Sequence, residues 1–285
     1  MPKKPDYTIT LTDLALPVSA CGVYKKDSSP RLSVRMDPGP NQLRISAPPT
    51  LGLHEVHVWR VNLERTADYA ESVSILSPDE QTRASKFRFE ADRRRYVATR
   101  ALVRRGLGSY LGIEPESLRF RYSQKGKPML IGAEETKLSF NVSHSGEWAF
   151  LAFACTRQVG VDVERVDPSV DTVALATRFF SVAEQEQLAA LPTEERLQGF
   201  FRCWTRKEAY IKATGDGLSL PLHQFDVSAG ARDQDALLAT RPDAIEAGRW
   251  ALRDLDVQTG YAAAICAQER DWRVRVLDVT EGSRE

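Results

Sequence analysis

With 285 residues, 42% of them hydrophobic and 27% charged, the chain is long enough for one large core or two smaller ones. Its 39 basic and 39 acidic side chains cancel, so no global field draws it to nucleic acid or to a membrane, and any basic patch must be local. Cys21, Cys155, Cys203 and Cys266 lie too far apart for a metal knuckle, and neither a secretory signal nor a long apolar span is present, so reduced thiols in a cytoplasmic protein are the simplest reading.

Residues 1–52 hold eight of the fifteen prolines without sustained periodicity and read as an N-terminal extension. A strand is predicted over residues 56–63, with Val56, Val58 and Trp59 turned to the core. A helix starts at Ser77, where Pro78 suits the first helical position and Glu80 can close a capping box. Between Ala91 and Gly112, Tyr96, Val103, Leu107 and Leu111 recur at helical spacing, and Gly106 and Gly108 weaken the end. Strands are predicted near residues 118–122, 138–141, 148–155 and 159–164. A second capping box, Ser181 to Glu184, follows the first by 104 residues, and Thr99-Arg100 is echoed by Thr205-Arg206 after 106. These offsets predict a duplicated α+β unit with a site in the cleft between the copies. Strands near residues 225–228, 251–257, 261–266 and 274–279 close the chain.

Several clusters are suited to chemistry. In G-V-D-V-E, residues 160–164, Asp162 and Glu164 project the same way with Cα atoms roughly 6.5 to 7 Å apart. The pair is either the wet face of an edge strand or an oxygen site for a divalent cation such as Mg²⁺. A helix over residues 200–218 has an apolar stripe of Phe200, Trp204 and Ile211; Glu208 and Lys212 lie one turn apart on it. They form either a surface ion pair worth about 0.3 to 0.5 kcal/mol or, through Glu208, a third oxygen for the cation. Gly215 and Gly217 suit a left-handed cap and a turn.

The stretch S-F-N-V-S-H-S-G-E-W, residues 139–148, reads as a polar turn between strands, serving either as hairpin chemistry or, through Ser143, His144 and Ser145, as donors to a phosphate. His54, His57 and His223 complete no metal motif and read as structural. From Arg83 to Arg105 there are nine Lys or Arg against Glu90 and Asp92, either a solvated helical face or a phosphate or nucleic-acid surface. Lys127 adds one more positive charge.

The three motifs F-N-V-S-H-S, G-V-D-V-E and W-T-R-K-E-A-Y-I-K-A-T-G-D-G-L occur in this order, about 20 and 40 residues apart. Together they resemble the 4'-phosphopantetheinyl transferase superfamily, in its pseudodimeric surfactin-synthetase-activating group, over roughly residues 56–266. The resemblance implies an α+β fold of two similar lobes related by a pseudo-twofold, each a small mainly antiparallel sheet packed with helices, with the active site between them. We expect the extension over residues 1–52, the lobes over 53–152 and 153–285, and a monomer.

The resemblance also implies transfer of the phosphopantetheine arm of coenzyme A to a serine of an acyl or peptidyl carrier protein, leaving 3',5'-ADP. It assigns Asp162, Glu164 and Glu208 to Mg²⁺, with Mn²⁺ as a substitute, and Lys212 to the leaving phosphate. Ser143 and His144 are then expected on the 3'-phosphate of coenzyme A, with Arg83, Lys127 and Arg95 around the adenosine end and Lys207 on the pyrophosphate. Glu208 is the expected base for the carrier serine. The chain departs from the family in carrying Glu80 where a second basic residue is common. Rival readings are an inactive carrier-binding homologue and a nucleic-acid-binding module built on the basic helix.

Overall fold

The computed structural model describes residues 48, 50–65, 69–122, 128–131, 136–215, 217–230 and 236–279. The expected N-terminal extension thus falls almost wholly outside the described residues, and so does Lys127.

One order of elements occurs twice. The first half runs β1 (Glu55–Asn62), α1 (Tyr69–Ser74), α2 (Pro78–Ser85), α3 (Glu90–Leu111), β2 (Phe120–Tyr122), β3 (Pro128–Leu130), β4 (Leu138–Ser145) and β5 (Trp148–Cys155). The second runs β6 (Val159–Arg165), α4 (Thr172–Phe179), α5 (Val182–Ala190), α6 (Thr193–Thr214), β7 (Phe225–Val227), β8 (Leu237–Thr240), β9 (Trp250–Asp254) and β10 (Tyr261–Gln268), and β11 (Arg273–Val279) follows. The main sheets carry the repeat as well: β1-β5-β4 in one and β6-β10-β9 in the other, antiparallel throughout. Two-stranded ribbons, β2-β3 and β7-β8, flank them.

β11 breaks the symmetry. It returns across the expected division at residue 152 and joins the first sheet as a parallel neighbour of β1, pairing Val56 with Val274 and Val58 with Val276.

The helices end as their residues dictate. The backbone N–H of Ser77 is accepted by Glu80, and Ser181 and Glu184 satisfy one another reciprocally, so both capping boxes form. The two long helices, α3 and α6, are each 22 residues and stop at left-handed glycines, Gly112 (φ 68°) and Gly215 (φ 83°). These caps lie 103 residues apart, as do Arg104 and Lys207, which corrects the 106-residue echo of Thr99-Arg100. α6 also begins seven residues earlier than the apolar stripe suggests, at Thr193 after Pro192, where Glu194 and Glu195 favour the positive end of the helix dipole.

Each sheet is buried on both faces. Trp59, Val61, Leu102, Leu107 and Phe153 fill the space under α3, while Trp204, Ile211, Leu252, Ala264 and Cys266 fill that under α6. Between the lobes Val56, Val58, Phe150, Ala152, Val159, Val161, Val163 and Ile265 form a third core. Full burial of each such large side chain contributes about 1.5 to 3 kcal/mol. β4 is longer than its predicted 138–141 because Asn141, Ser143 and Ser145 are not a solvent-facing turn: they lie on the interlobe side of the strand and bond across to β6. β3 and β8, only three and four residues long, are too short for periodicity to reveal.

Candidate active site at the lobe junction

Alternation along β6 sends Val159, Val161 and Val163 into the interlobe core and leaves Gly160, Asp162 and Glu164 facing α6. Gly160 lets the strand lie against the helix, since a Cβ there would sit 2.2 Å from the carbonyl oxygen of Ala209 and 2.3 Å from the nitrogen of Ala213. The close approach brings Asp162 to Lys212, whose Nζ donates to Asp162 Oδ1 at 2.7 Å and to Ser143 Oγ at 3.0 Å. Ser143 passes its own proton to the same Oδ1 at 2.7 Å. Residues from both lobes thus meet at one carboxylate.

The other acids are held at higher electrostatic cost. Burial, and then the negative charge of Asp162, push both Glu164 and Glu208 up to about 8. Burial likewise raises Asp162, against the pull of Lys212. Burial by itself would lower Lys212, but the charges of Asp162 and Glu208 outweigh it and raise its pKa. Asp162 Oδ2 and Glu208 Oε1 are buried without a hydrogen-bond partner. Two orphaned carboxylate oxygens in an oxygen-only donor set fit a hard divalent cation. Among the described residues no three acidic, histidine or cysteine side chains are drawn to ligation spacing, so binding would require the carboxylates to close on the ion.

His144 and Ser143 part company. The alternation of β4 turns His144 with Phe140 and Val142 towards the start of α3, whereas Ser143 faces the acids, so the expected joint grip of both on one phosphate is divided between two faces. The ring of His144 is exposed, yet the desolvating bulk of protein behind it, followed by the charges of Lys212 and Arg95, lowers its pKa to about 4. Arg95 is exposed and paired with Asp92, and half-buried Arg83 lies over the ring of Tyr96, 5.7 Å from its centroid.

Lys207 is a correction. It is fully buried, its Nζ donates to the carbonyls of Leu222 and Phe225 and pairs with Glu184 at 2.6 Å, and it cannot reach a pyrophosphate. The K-E dipeptide places Lys207 and Glu208 about 100° apart around α6, so only one of them can face β6. The basic face of α3 is thinned in the same way. Arg100 and Arg104 turn inward onto fully buried Glu80, and Arg105 onto Glu71. Glu80, where the family often carries a cation, therefore anchors the helix pair. Sequence reasoning missed the part of Asn141 and Ser145, although their period-two spacing with Ser143 was the available signal.

Residues 158–266 match the family model described as the 4'-phosphopantetheinyl transferase superfamily, and residues 59–156 match that of the 4'-phosphopantetheinyl transferase N-terminal region. The 4'-phosphopantetheinyl transferase HetI of Nostoc sp. is 40% identical over 234 residues, spanning 80% of this chain and 95% of the relative. The 4'-phosphopantetheinyl transferase Sfp of Bacillus subtilis is 29% identical over 219 residues, spanning 75% and 93%. Among solved structures, the Chronobacterium ammoniagenes ACPS-CoA complex aligns at 18% identity over 40% of this chain and 98% of that one, with a TM-score of 0.31, a likeness too remote to bear on the site.

Proposed function

Because the chain belongs to the 4'-phosphopantetheinyl transferase superfamily, in the group of the surfactin-synthetase-activating enzyme, we propose that it moves the phosphopantetheine arm of coenzyme A onto a serine of an acyl or peptidyl carrier protein, releasing 3',5'-ADP. The observation that carries this reading is the junction itself, where Asp162, Glu164 and Glu208 stand together with Lys212 and leave two buried carboxylate oxygens without partners.

Asp162 through Oδ2, Glu208 through Oε1 and Glu164 would hold Mg²⁺ or, in its place, Mn²⁺. When bound, the cation supplies positive charge to the pyrophosphate oxygens of coenzyme A. Lys212, kept protonated by Asp162 and Glu208, is placed to neutralise the departing phosphate and to give it a proton. Glu208 takes the proton of the carrier serine through its second carboxylate oxygen, Oε2, the one not committed to the cation. His144, with Arg95 beside it and Arg83 further along the first lobe, receives the phosphates of the adenosine end, and an anion among them would offset the charges of Lys212 and Arg95 that add to burial in lowering its pKa. Ser143 holds Asp162 and Lys212 in register. Apolar packing excludes water from the strand and helix beneath.

Both lobes contribute to one junction within a single chain, which supports a monomer. The unpaired thiols of Cys155, Cys203 and Cys266 support a cytoplasmic setting. Among the described residues no helix is long and apolar enough to cross a membrane. The deciding test mixes the protein with apo carrier proteins of the fatty-acid, polyketide, nonribosomal-peptide and lysine-pathway types, coenzyme A and Mg²⁺. A phosphopantetheine mass increase on at least one carrier, with matching release of 3',5'-ADP, is the expected result. No increase on any of them rejects the enzyme reading.

A further inference from the structure

The first lobe touches the carboxylate strand through three side chains of β4. β4 and β6 are edge strands of different sheets, and an edge strand leaves every second backbone N–H pointing outward. Asn141 Oδ1 accepts the N–H of Val161 at 2.9 Å, and Ser145 Oγ accepts that of Arg165 at 3.0 Å. Between them Ser143 reaches Asp162. Side chains thus replace the ladder that would otherwise join the two sheets.

Ser145 does more than close that edge. A hydroxyl has one proton, and because the lone pairs of Ser145 Oγ receive the Arg165 N–H, the proton is free to be aimed elsewhere. It goes to Glu164 Oε2 at 2.8 Å. Its parent strand is fixed by the antiparallel register with β5, where Ser145 pairs with Trp148, and by the turn at Gly146, where a Cβ would strike the hydroxyl of Tyr261 at 2.5 Å.

We propose that Ser145 is a positioning residue for Glu164: its hydroxyl, oriented by the Arg165 backbone, commits Glu164 Oε2 and presents Oε1 to the divalent cation. The inference rests on reading the three carboxylates as the cation site. It makes the first lobe a determinant of cation affinity although it supplies none of the three carboxylates. Asn141, whose bond is to backbone alone, closes the same edge without touching an acid.

Titration of the protein with Mn²⁺, reading free Mn²⁺ by electron paramagnetic resonance, tests this without turnover. Ser145→Ala should weaken Mn²⁺ binding about tenfold, the scale of lost outer partners of metal ligands. Ser145→Thr, which keeps the hydroxyl, should restore it to within about twofold. Asn141→Ala should lower the melting temperature at unchanged Mn²⁺ affinity, which separates a loosened edge from a misplaced ligand. Equal Mn²⁺ affinity in wild type and Ser145→Ala, with binding lost in Asp162→Asn, overturns the role of Ser145 alone. Equal losses in Ser145→Ala and Ser145→Thr overturn it as well. Wild-type protein that binds no Mn²⁺, or Asp162→Asn and Glu208→Gln variants that bind it as wild type does, overturns the cation site and this inference with it.

Discussion

The two lobes set the same scaffold against different chemistry. Glu80 on α2 and Glu184 on α5 each close a capping box, lie fully buried, and meet a buried cation from the long helix behind, Arg104 in one case and Lys207 in the other. Gly112 and Gly215 end those helices in the same left-handed conformation. On the first strand of each lobe the same offset sets Trp59 against Asp162 and Val61 against Glu164, and His57, which reaches Tyr110 at 2.7 Å, against Gly160. On the helix it sets Arg105 against Glu208 and Ser109 against Lys212. The first lobe therefore packs Trp59 and Val61 of its strand into an apolar core and pairs Arg105 of its helix with Glu71, whereas the second, at the same four positions, places three acids and a lysine. The difference teaches that caps, paired cations and glycine stops make the fold, and that the site arises where the second lobe's first strand gives up apolar burial.

The largest effect should come from the positions where the lobes differ. Asp162→Asn or Glu208→Gln should reduce transfer by about 10² to 10⁴-fold, the range for a lost acid-base or charge-stabilising group. Loss of the phosphopantetheine mass shift, with cooperative urea unfolding retained, is the measurement; near-normal transfer in either variant would overturn the assignment.

Next come the positions that the lobes share. Burial pushes Lys207 down and Glu184 up, and their mutual pairing is the chief effect that offsets it. Glu184→Ala and Glu80→Ala should each cost about 3 to 5 kcal/mol in urea unfolding, because each strands buried positive charge. Lys207→Met combined with Glu184→Gln, which keeps an acceptor oxygen beside the buried Ser181 and Val227 N–H groups, should regain most of the stability and leave the KM for coenzyme A unchanged. A raised KM would return Lys207 to the substrate.

Gly160 marks where strand and helix lie closest. Gly160→Ala should cost about 1 to 3 kcal/mol by overpacking, read by thermal denaturation, and should slow transfer by moving Asp162 from Lys212. A variant as stable and active as wild type would mean that the close approach is not needed.

The smallest effect is one of pH. Glu164 and Glu208 titrate near 8 when folded against an ordinary 4.5, so the folded protein holds more protons than the unfolded chain between those values. Their contribution to stability is full below the lower value and is lost as pH rises through the upper one. In chelator the melting temperature should therefore fall from about pH 4.5 to about pH 8, and Mg²⁺ should remove most of that fall. A flat profile in chelator would show that the cluster is relieved by something other than a cation.

Much of this was legible along the chain. Strand alternation put Asp162 and Glu164 on one face, and the one-turn spacing put Glu208 beside Lys212. Ser77 to Glu80 and Ser181 to Glu184 announced both helix starts, and the duplication followed from their offset. What misled was polarity. Asn141, Ser143 and Ser145 look like a turn because polar residues ordinarily face water, but an unpaired strand edge satisfies them equally well. Lys207 beside Glu208 looked like site chemistry, yet α6 sends it to the opposite lining, where Glu184 waits. Arg100 and Arg104 looked like an exposed basic face until Glu80 was brought beneath them.

The amino-acid order by itself determined the helix starts, the strand faces and, through three ordered motifs, the resemblance to the family and the three candidate acids, because capping, periodicity and motif spacing are local properties. The tertiary structure alone decided which charged and polar side chains face the junction and which are sealed into the scaffold, and it alone brought β11 home to β1 and β4 alongside β6. These are contacts between segments from about 20 to more than 200 residues apart. Local periodicity says which side of a strand or helix a residue occupies, and only the packed chain says what stands opposite it.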